Sequence, residues 1–417
     1  MLSRHFDPVM SLPLEVVGMI FEYLTMRERV LCLAVSKSWN ILLESARSLW
    51  TTVYTTRECQ PIPLKALKEY LRRSRFTVDS ALIHRISFAD IPNMEYLMDK
   101  CHGLRDLSIY GDGSFCQSLG TNLASAKGIQ KLHLSQKTPV SVPTMIMALN
   151  ACRNTIREAK LLCVTGNNGE SIASWPEMNS LTRIHLDFCN NGYIKILGLI
   201  QVTPNICSAV INNCQSQDDS PLDLTLWPNL ETLDLTETQL EYFPKLPLSL
   251  KHLVLDGSCD VYYTDKYGID IYPLPLLETL SFQYCRIDGP SISTLTESCI
   301  RANNLKILLL GGVEGPYPLD HPFSDLFPAS ATVEELSMSA MDLLDEEVIE
   351  ITKFYPSLKK VDLSYNDITA ITINELVKIG VKSINIDECS NVNSDTVEMA
   401  RAEGVYVSHE FIDDSPF

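Results

Sequence analysis

Apolar residues recur along most of this chain in the order apolar-x-x-apolar-x-apolar. The cores read IHRISF, LRDLSI, IQKLHL, IREAKL, LTRIHL, ICSAVI, LETLDL, LKHLVL, LETLSF, LKILLL, VEELSM, LKKVDL and VKSINI, beginning at residues 83, 104, 129, 156, 181, 206, 230, 250, 277, 305, 333, 358 and 381. Positions one, four and six of each core turn inward and positions three and five outward, which predicts a short strand with one buried face. No unit of this length buries its inner face alone; stacked units share one core, so thirteen copies predict an array of parallel strands. Two returns between cores, SISTLTESCIRANN (291–304) and DEEVIEITKFY (345–355), read as helices. The step from Leu230 to Leu250, with Pro244 and Pro247, is too tight for one.

The core and its period of about 25 resemble leucine-rich repeats. Cys189, Cys214, Cys285 and Cys389 each stand ninth in a unit, where Asn366 stands in the unit beginning at Leu358. A small buried thiol or a backbone-bonding amide suits a position that turns the chain inward. CRIDGPSISTLTESC (285–299) resembles the cysteine-containing type of repeat. This accounts for the cysteines better than metal or disulfide chemistry: there is no C-x-x-C pair, no His/Cys ligand spacing and no secretory segment.

The N-terminal stretch has a different pattern. In LPLEVVGMIFEYL (12–24) apolar side chains occupy most of the helix circumference rather than one stripe. Helices are predicted at about 13–24, 27–36 and 38–46, with Ser11 capping the first, Pro13 in its first turn and Glu15 complementing its dipole. Val30, Leu33 and Ala34, with Trp39, Leu42 and Leu43, are expected to close a small core. Forty residues cannot bury the rest. Each apolar side chain left in water forgoes about 1.5–3 kcal/mol, so a partner surface is expected.

Leu12-Pro13-x-Glu15, Ile20, Leu24, Val35-Ser36, Trp39 and Leu49-Trp50 resemble an F-box. The implied fold class is α/β: a short N-terminal three-helix F-box followed by a leucine-rich-repeat solenoid with a parallel concave sheet. The expected division is a leader (1–10), the F-box (11–56), a linker and capping helix (57–80), about 13 repeats (81–410) and an acidic tail (411–417). By resemblance the F-box docks on the Skp1 adaptor and, through it, the cullin–RING core of an SCF ubiquitin ligase. Leu12, Pro13, Leu14, Glu15, Val17, Ile20, Phe21, Leu24, Val35 and Trp39 would carry that contact. DPVMSLPLEVVGMIFEYLTMRERVLCLAVSKSWNILL and NVNSDTVEMARAEGVYVSHEF are similar to fungal ligase subunits of the TPR–F-box–leucine-rich-repeat group, which implies a nuclear role in replisome disassembly, with Mcm7 of the CMG helicase as target. No TPR stretch stands before residue 11 in this sequence, which departs from the pattern of that group: either the sequence is trimmed ahead of Met1 or the subfamily is another, and without that domain the tether to the replisome would be lost. The other reading is a non-ligase repeat module, binding or inhibitory, whose N-terminal helices only cap the first repeat.

Charge refines the picture. The net charge is −18, yet residues 1–80 hold 11 Lys/Arg against 8 Asp/Glu, while residues 331–417 hold 6 against 18. That field disfavours direct nucleic-acid binding by the C-terminal part. No apolar run is long enough to span a membrane. PIPLKALKEYLRR (61–73) sets Leu64, Leu67 and Leu71 on one helical face, a cap for the first repeat, with Arg72, Arg73 and Arg75 read as a solvated face. LLLGGVEG (308–315) lacks a phosphate-loop continuation, and the eight histidines fall in no catalytic pattern, so no catalytic residue, metal site or cofactor is expected. The concave face is expected to be basic early (Arg85, Lys131, His133, Lys160, Arg183, His185) and acidic late (Asp234, Asp256, Glu335, Asp362, Asp387), with Phe188, Tyr284 and Tyr365 beside it. Aromatic groups beside charges are common interface anchors, so a protein substrate is expected there. Two long returns, 256–275 with four tyrosines and 311–330 rich in Pro and Phe, are further candidates.

Overall fold

A computed structural model describes residues 7–54, 63–86, 91–111, 122–165 except 124 and 127, 174–258 except 219 and 241, 271–285, 289–312 and 327–409. Most of both long returns and the acidic tail lie outside the described residues. The chain forms two compact units, Met1–Gly192 and Tyr193–Phe417.

The first unit opens with helices α1 (Pro8–Ser11), α2 (Leu14–Glu22), α3 (Met26–Cys32) and α4 (Lys37–Ser45). Ser11 does not cap α2: it ends α1, and its hydroxyl donates to the Asp7 carbonyl at 2.9 Å. Pro13, with φ −55°, leads into α2 instead. Thr25 and Glu28 form a reciprocal capping box on α3, and the Ser36 hydroxyl accepts the Trp39 N–H at the start of α4. α3 stops short of the expected residue 36, because Leu33, Ala34 and Val35 donate to carbonyls three residues back. Val17, Phe21, Met26, Leu43, Leu49 and Trp50 are buried. Val30, within α3, and Ala34, beyond its end, both expected in this core, are exposed.

The repeats begin earlier than the sequence pattern suggests. Strand β1 (Thr52–Tyr54) pairs in parallel with β2 (Ser80–Ile86), and Ala81 stands opposite Leu107 of β3 (Asp106–Gly111). Leu107 is the fourth residue of its unit, so the unit of β2 starts at Val78, not Ile83. A unit before it starts at Trp50. The Thr51 carbonyl accepts Asp79 N–H at 2.9 Å, as the Asp79 carbonyl accepts Arg105 N–H at 2.8 Å. VDSALI carries a small Ala at its fourth position, which is why the stronger apolar signal of IHRISF masked it. Arg85 is then an eighth residue, not a third, and its side chain lies outside the described ones.

β4 (Lys131–Ser141), β5 (Glu158–Thr165) and β6 (Arg183–Ile194) continue the first unit in sequence order, all parallel. Helix α5 (Leu64–Arg73) buries Leu67, Tyr70 and Leu71, and Tyr70 packs edge-on against Trp50 at 5.1 Å. α6 (Ile91–Lys100) and α7 (Val142–Cys152) fill later returns.

The second unit holds β7 (Ser208–Ser216), β8 (Thr232–Asp234), β9 (His252–Val254), β10 (Thr279–Ser281), β11 (Ile307–Leu309), β12 (Glu335–Ser337), β13 (Lys360–Asp362), β14 (Ser383–Asn385) and β15 (Tyr406–Ser408), again parallel in sequence order. Its returns include α8 (Ile196–Val202), α9 (Gly289–Arg301), α10 (Asp345–Thr352), α11 (Ala370–Lys378) and α12 (Ser394–Ala402). Among the described residues between β8 and β9 there is no helix, as the prolines there predict.

Two positions join repeat to repeat. In four units the ninth residue sends its hydrogen to the sixth-residue carbonyl of the preceding unit: Cys285 Sγ to Leu255 at 2.8 Å, Asn366 Nδ2 to Met338 at 2.8 Å, Cys389 Sγ to Leu363 at 3.1 Å and Thr238 Oγ1 to Ile211 at 2.6 Å. The eighth residue is left-handed throughout the second unit, at Asn213, Glu237, Gly257, Tyr284, Gly312, Ala340, Tyr365 and Glu388, with φ between 50° and 68°. Only two of these are glycines, although the conformation costs other residues about 1–2 kcal/mol. The return is a further inter-repeat bond: Tyr284 N–H donates to Gly311 O and Tyr365 N–H to Asp387 O.

Candidate functional site

The helices at the N-terminus have an inside and an outside. Val17 and Phe21 point inward, and Phe21 meets Trp39 edge-on at 5.2 Å. These two are therefore supports of the F-box-like surface rather than part of its exposed face: four residues apart, they share the inner stripe of α2. Leu12, Pro13, Leu14, Glu15 and Ile20 are exposed, as is Val35; Leu24 and Trp39 are half-buried. Leu14 is 64% exposed, Val35 60% and Ile41 70%; Val16, Met19, Tyr23, Val30 and Leu31 also open to water. That is an apolar surface far from what a folded chain leaves uncovered on four short helices.

Two residues that the sequence reading passed over hold this surface in shape. The Arg29 guanidinium donates to the carbonyls of Phe21 and Glu22 at 2.9 Å each, and to that of Leu49, closing the C-terminal end of α2. Asp7 accepts from Trp39 Nε1 at 2.9 Å and from the Ser38 hydroxyl, and these bonds lower its pKa, Ser38 most, then Trp39. Thr25-x-x-Glu28 was a legible signal for a helix start; nothing local announced Asp7 or Arg29.

On the strand face of the first unit, Lys131 and Arg183 flank Glu158 at 3.9 and 4.0 Å, so the early face is mixed rather than purely basic. His133, Lys160 and His185 stand in one file at the fifth position of adjacent units. Burial first, then the charges of Lys160 and His185, lower the His133 pKa; Tyr110 OH lies 3.1 Å from its Nδ1. Phe188 is 2% exposed and belongs to the core. Its unit lacks the left-handed eighth residue that Cys163 provides in the unit before, so Phe188 falls in register with the buried Val164.

On the strand face of the second unit the carboxylates are largely engaged. Asp234 accepts from Thr236 N and Oγ1, and Asp362 from Ser364 N and Oγ, each two residues on. Asp256 accepts from Ser281 Oγ at 2.6 Å and Gln283 N at 2.8 Å; burial nevertheless raises its pKa. Glu335 pairs with Lys360 at 2.6 Å, and Asp387 accepts from Ser408. Tyr284 and Tyr365 are 62% and 58% exposed. Of the tyrosines in the return 256–275, only Tyr272 lies within the described residues. Arg72 and Arg73 are paired with Glu69, and Arg73 also with Glu44.

The buried thiols are unsuited to nucleophilic chemistry. Burial pushes Cys152 and Cys214 up to about 12 and Cys101 and Cys299 up to about 11, away from the thiolate. Among the described residues no three His, Cys, Asp or Glu side chains are placed to hold a metal ion, and no helix is long and apolar enough to cross a membrane.

Residues 9–56 match the F-box-like family. The match covers the exposed helices and runs through Trp50 into β1. No curated protein matches the chain. Solved structures similar to this chain include a leucine-rich-repeat protein of Leptospira interrogans, 14% identical over 88% of this chain and 97% of that one, TM-score 0.48. The yeast Rad7–Elc1 complex is 13% identical over 97% and 90%, TM-score 0.41, and an internalin of Listeria monocytogenes 12% over 93% and 94%, TM-score 0.44. The chain joins a region that matches the F-box-like family to a long run of parallel-strand repeats.

Proposed function

We propose that this chain is the substrate-recognition subunit of an SCF-type cullin–RING ubiquitin ligase. The F-box-like region docks on a Skp1 adaptor, and the repeats hold a protein target. The observation that carries the reading is the number of large apolar side chains left exposed, Leu14, Ile20, Val35 and Ile41 among them, within the segment that matches the F-box-like family. The chain supplies no catalytic group in this reading. It raises the local concentration of target lysines near a loaded conjugating enzyme. The resemblance to the fungal replisome group points to Mcm7 within the CMG helicase as target and to the nucleus as its place of action. The charge surplus in the C-terminal part favours a protein target over nucleic acid.

The second reading, a repeat module with a helical cap, draws on Trp50, which belongs both to the F-box-like region and to the first repeat. One experiment separates them. The full chain is co-expressed with Skp1, as wild type and as Leu14→Ser/Ile20→Ser. The ligase reading expects a stoichiometric complex that the double variant loses by at least a hundredfold in affinity, with its melting temperature within a degree or two of wild type. A chain that is monodisperse alone and ignores Skp1 supports the cap.

A further inference from the structure

The left-handed row of the second unit sets two exposed tyrosines on one line. Tyr284 and Tyr365 are eighth residues three strands apart, about 14 Å at the usual strand spacing of about 4.8 Å. Between them stand Gly312 and Ala340. The Tyr284 ring lies across Gly312, where a Cβ would meet ring carbons at 2.3 and 2.4 Å. The seventh residues below are as small: a Cβ on Gly311 would stand 2.9 Å from the Ser339 backbone, and Ser339 and Ser364 are buried. The result is a smooth strip with an aromatic ring at each end. The inter-repeat bonds hold both backbones left-handed, as elsewhere in the second unit, and leave the two rings exposed.

Charge selects the occupant. Glu388, exposed and left-handed itself, is the eighth residue of the strand next to Tyr365. Asp362, half-buried three residues before Tyr365, has one carboxylate oxygen, Oδ1, bonded to Ser364. The cation on the same strand, Lys360, is neutralised by Glu335. We propose that the strip binds an extended segment of a partner protein, with an arginine or lysine of that segment over the Tyr365 ring, flanked by Glu388 and Asp362. A cation over a tyrosine face gains from the ring quadrupole as well as from the carboxylates. An extended chain advances about 3.3 Å per residue, so an apolar or proline side chain four positions away reaches Tyr284. This rests on the reading of the repeats as the part that holds the target, and it names the chemistry of what is held.

The test pans a phage-displayed library of random dodecapeptides against the full chain, then measures the enriched peptides by fluorescence anisotropy. Basic peptides should emerge, and Tyr365→Gly should weaken them at least tenfold. Because glycine accepts φ near 60° without strain, the melting temperature of that variant should not fall, which a merely structural tyrosine would not permit. Glu388→Gln should weaken the same peptides about threefold, and 0.5 M salt should weaken them further. Peptides without a basic residue, or equal affinity in Tyr365→Gly, overturn the strip while leaving capture of targets elsewhere on the repeats intact. So does preferential binding of a single-stranded oligonucleotide, which stacking alone would favour. No enrichment overturns the strip as well, and Skp1 binding by the same preparation then decides whether the ligase reading falls with it.

Discussion

The F-box-like helices and the repeats of the second unit both carry dense apolar sequence, yet they dispose of it in opposite ways. In the second unit, Leu253, Leu280, Leu308, Leu336, Val361 and Ile384 stack one per strand and are essentially excluded from water. Each repeat closes the inner face of the one before it. In the helices, Leu14, Met19, Ile20, Val35 and Ile41 have no such neighbour and stay largely exposed. The polar groups do not divide in this way, since Arg29 and Asp7 of the helices are bonded within the chain as well. Ninth-residue thiols and amides of the repeats are saturated from within the chain. The difference teaches that apolar density alone does not tell a core from an interface; what tells them apart is whether the chain supplies the next layer.

Trp50 is where the F-box-like helices meet the first repeat of their own unit, so its loss should have the largest effect. Its ring is fully buried against Tyr70, and Nε1 donates to the Leu43 carbonyl at 2.7 Å. Trp50→Ala should destabilise the first unit by about 3–5 kcal/mol. Denaturant unfolding measures that, and the exposed apolar surface of the helices should collapse with the first repeat. If the helices stay folded without Trp50, they and the first repeat are more separate than the packing of Trp50 against Tyr70 implies.

Asn366 tests the self-sufficiency of the repeats. Its amide donates to Met338 and Leu363 carbonyls, and its oxygen accepts Met341 and Leu343 N–H at 3.1 and 2.9 Å. Asn366→Ala leaves several buried backbone groups unpaired and should cost about 3 kcal/mol. Hydrogen exchange at Met341 and Leu343 should accelerate with it.

Asp345 gives a smaller, pH-dependent effect. It accepts from Thr369 N–H and hydroxyl and from Thr372, tying α10 to the start of α11. Burial opposes its ionisation, but the bonds from Thr369 and Thr372 outweigh burial and lower its pKa. A carboxylate with a depressed folded-state pKa contributes stability above its unfolded pKa, about 4, and loses it as pH falls through the folded value. Asp345→Asn should therefore cost about 1 kcal/mol at pH 7, a figure kept small because solvent screens the site. The gap to wild type should close as the pH is lowered from neutral through the unfolded value and then the depressed folded one. A gap constant with pH would assign the effect to packing.

The fold was largely legible in the sequence because the repeat is a period, and a period survives local exceptions. Where it failed, at Val78 and Trp50, an alanine and a tryptophan stood in leucine positions. Most inward ninth residues were legible too, since Cys and Asn are small polar groups in an apolar run; Cys189, expected among them, is half-buried and stands opposite Thr165 instead. The left-handed eighth position was not: Tyr, Glu and Ala stand there as often as Gly or Asn, and only the inter-repeat bond dictates their backbone. Phe188 misled for the same reason, one missing left-handed residue moving it inward. In the candidate adaptor surface the excess of apolar residues was readable. The division into inner Val17 and Phe21 and outer Leu14 and Ile20 needed the packing of α4 against α2. Asp7 and Arg29 act across 32 and 20 residues of sequence, and no local pattern encodes such contacts.

Gly18 draws the comparison most finely. In the repeats, Gly311 is required: a Cβ there would stand 2.0 Å from the Ser339 hydroxyl and 2.9 Å from its backbone. Gly18 sits within α2, and a Cβ on it would meet nothing within 4 Å. A glycine inside a helix costs about 1 kcal/mol relative to alanine. Nothing in the free chain offsets that cost, so Gly18→Ala should stabilise the F-box-like helices by about 0.5–1 kcal/mol, seen as slower exchange of α2 amides. If an adaptor lies against α2, the added methyl stands where the partner backbone approaches, and affinity for Skp1 should fall even as the free chain gains. The two signs together distinguish a docking face from a bare cap: a cap predicts the gain alone, whereas an interface predicts gain in isolation and loss in complex.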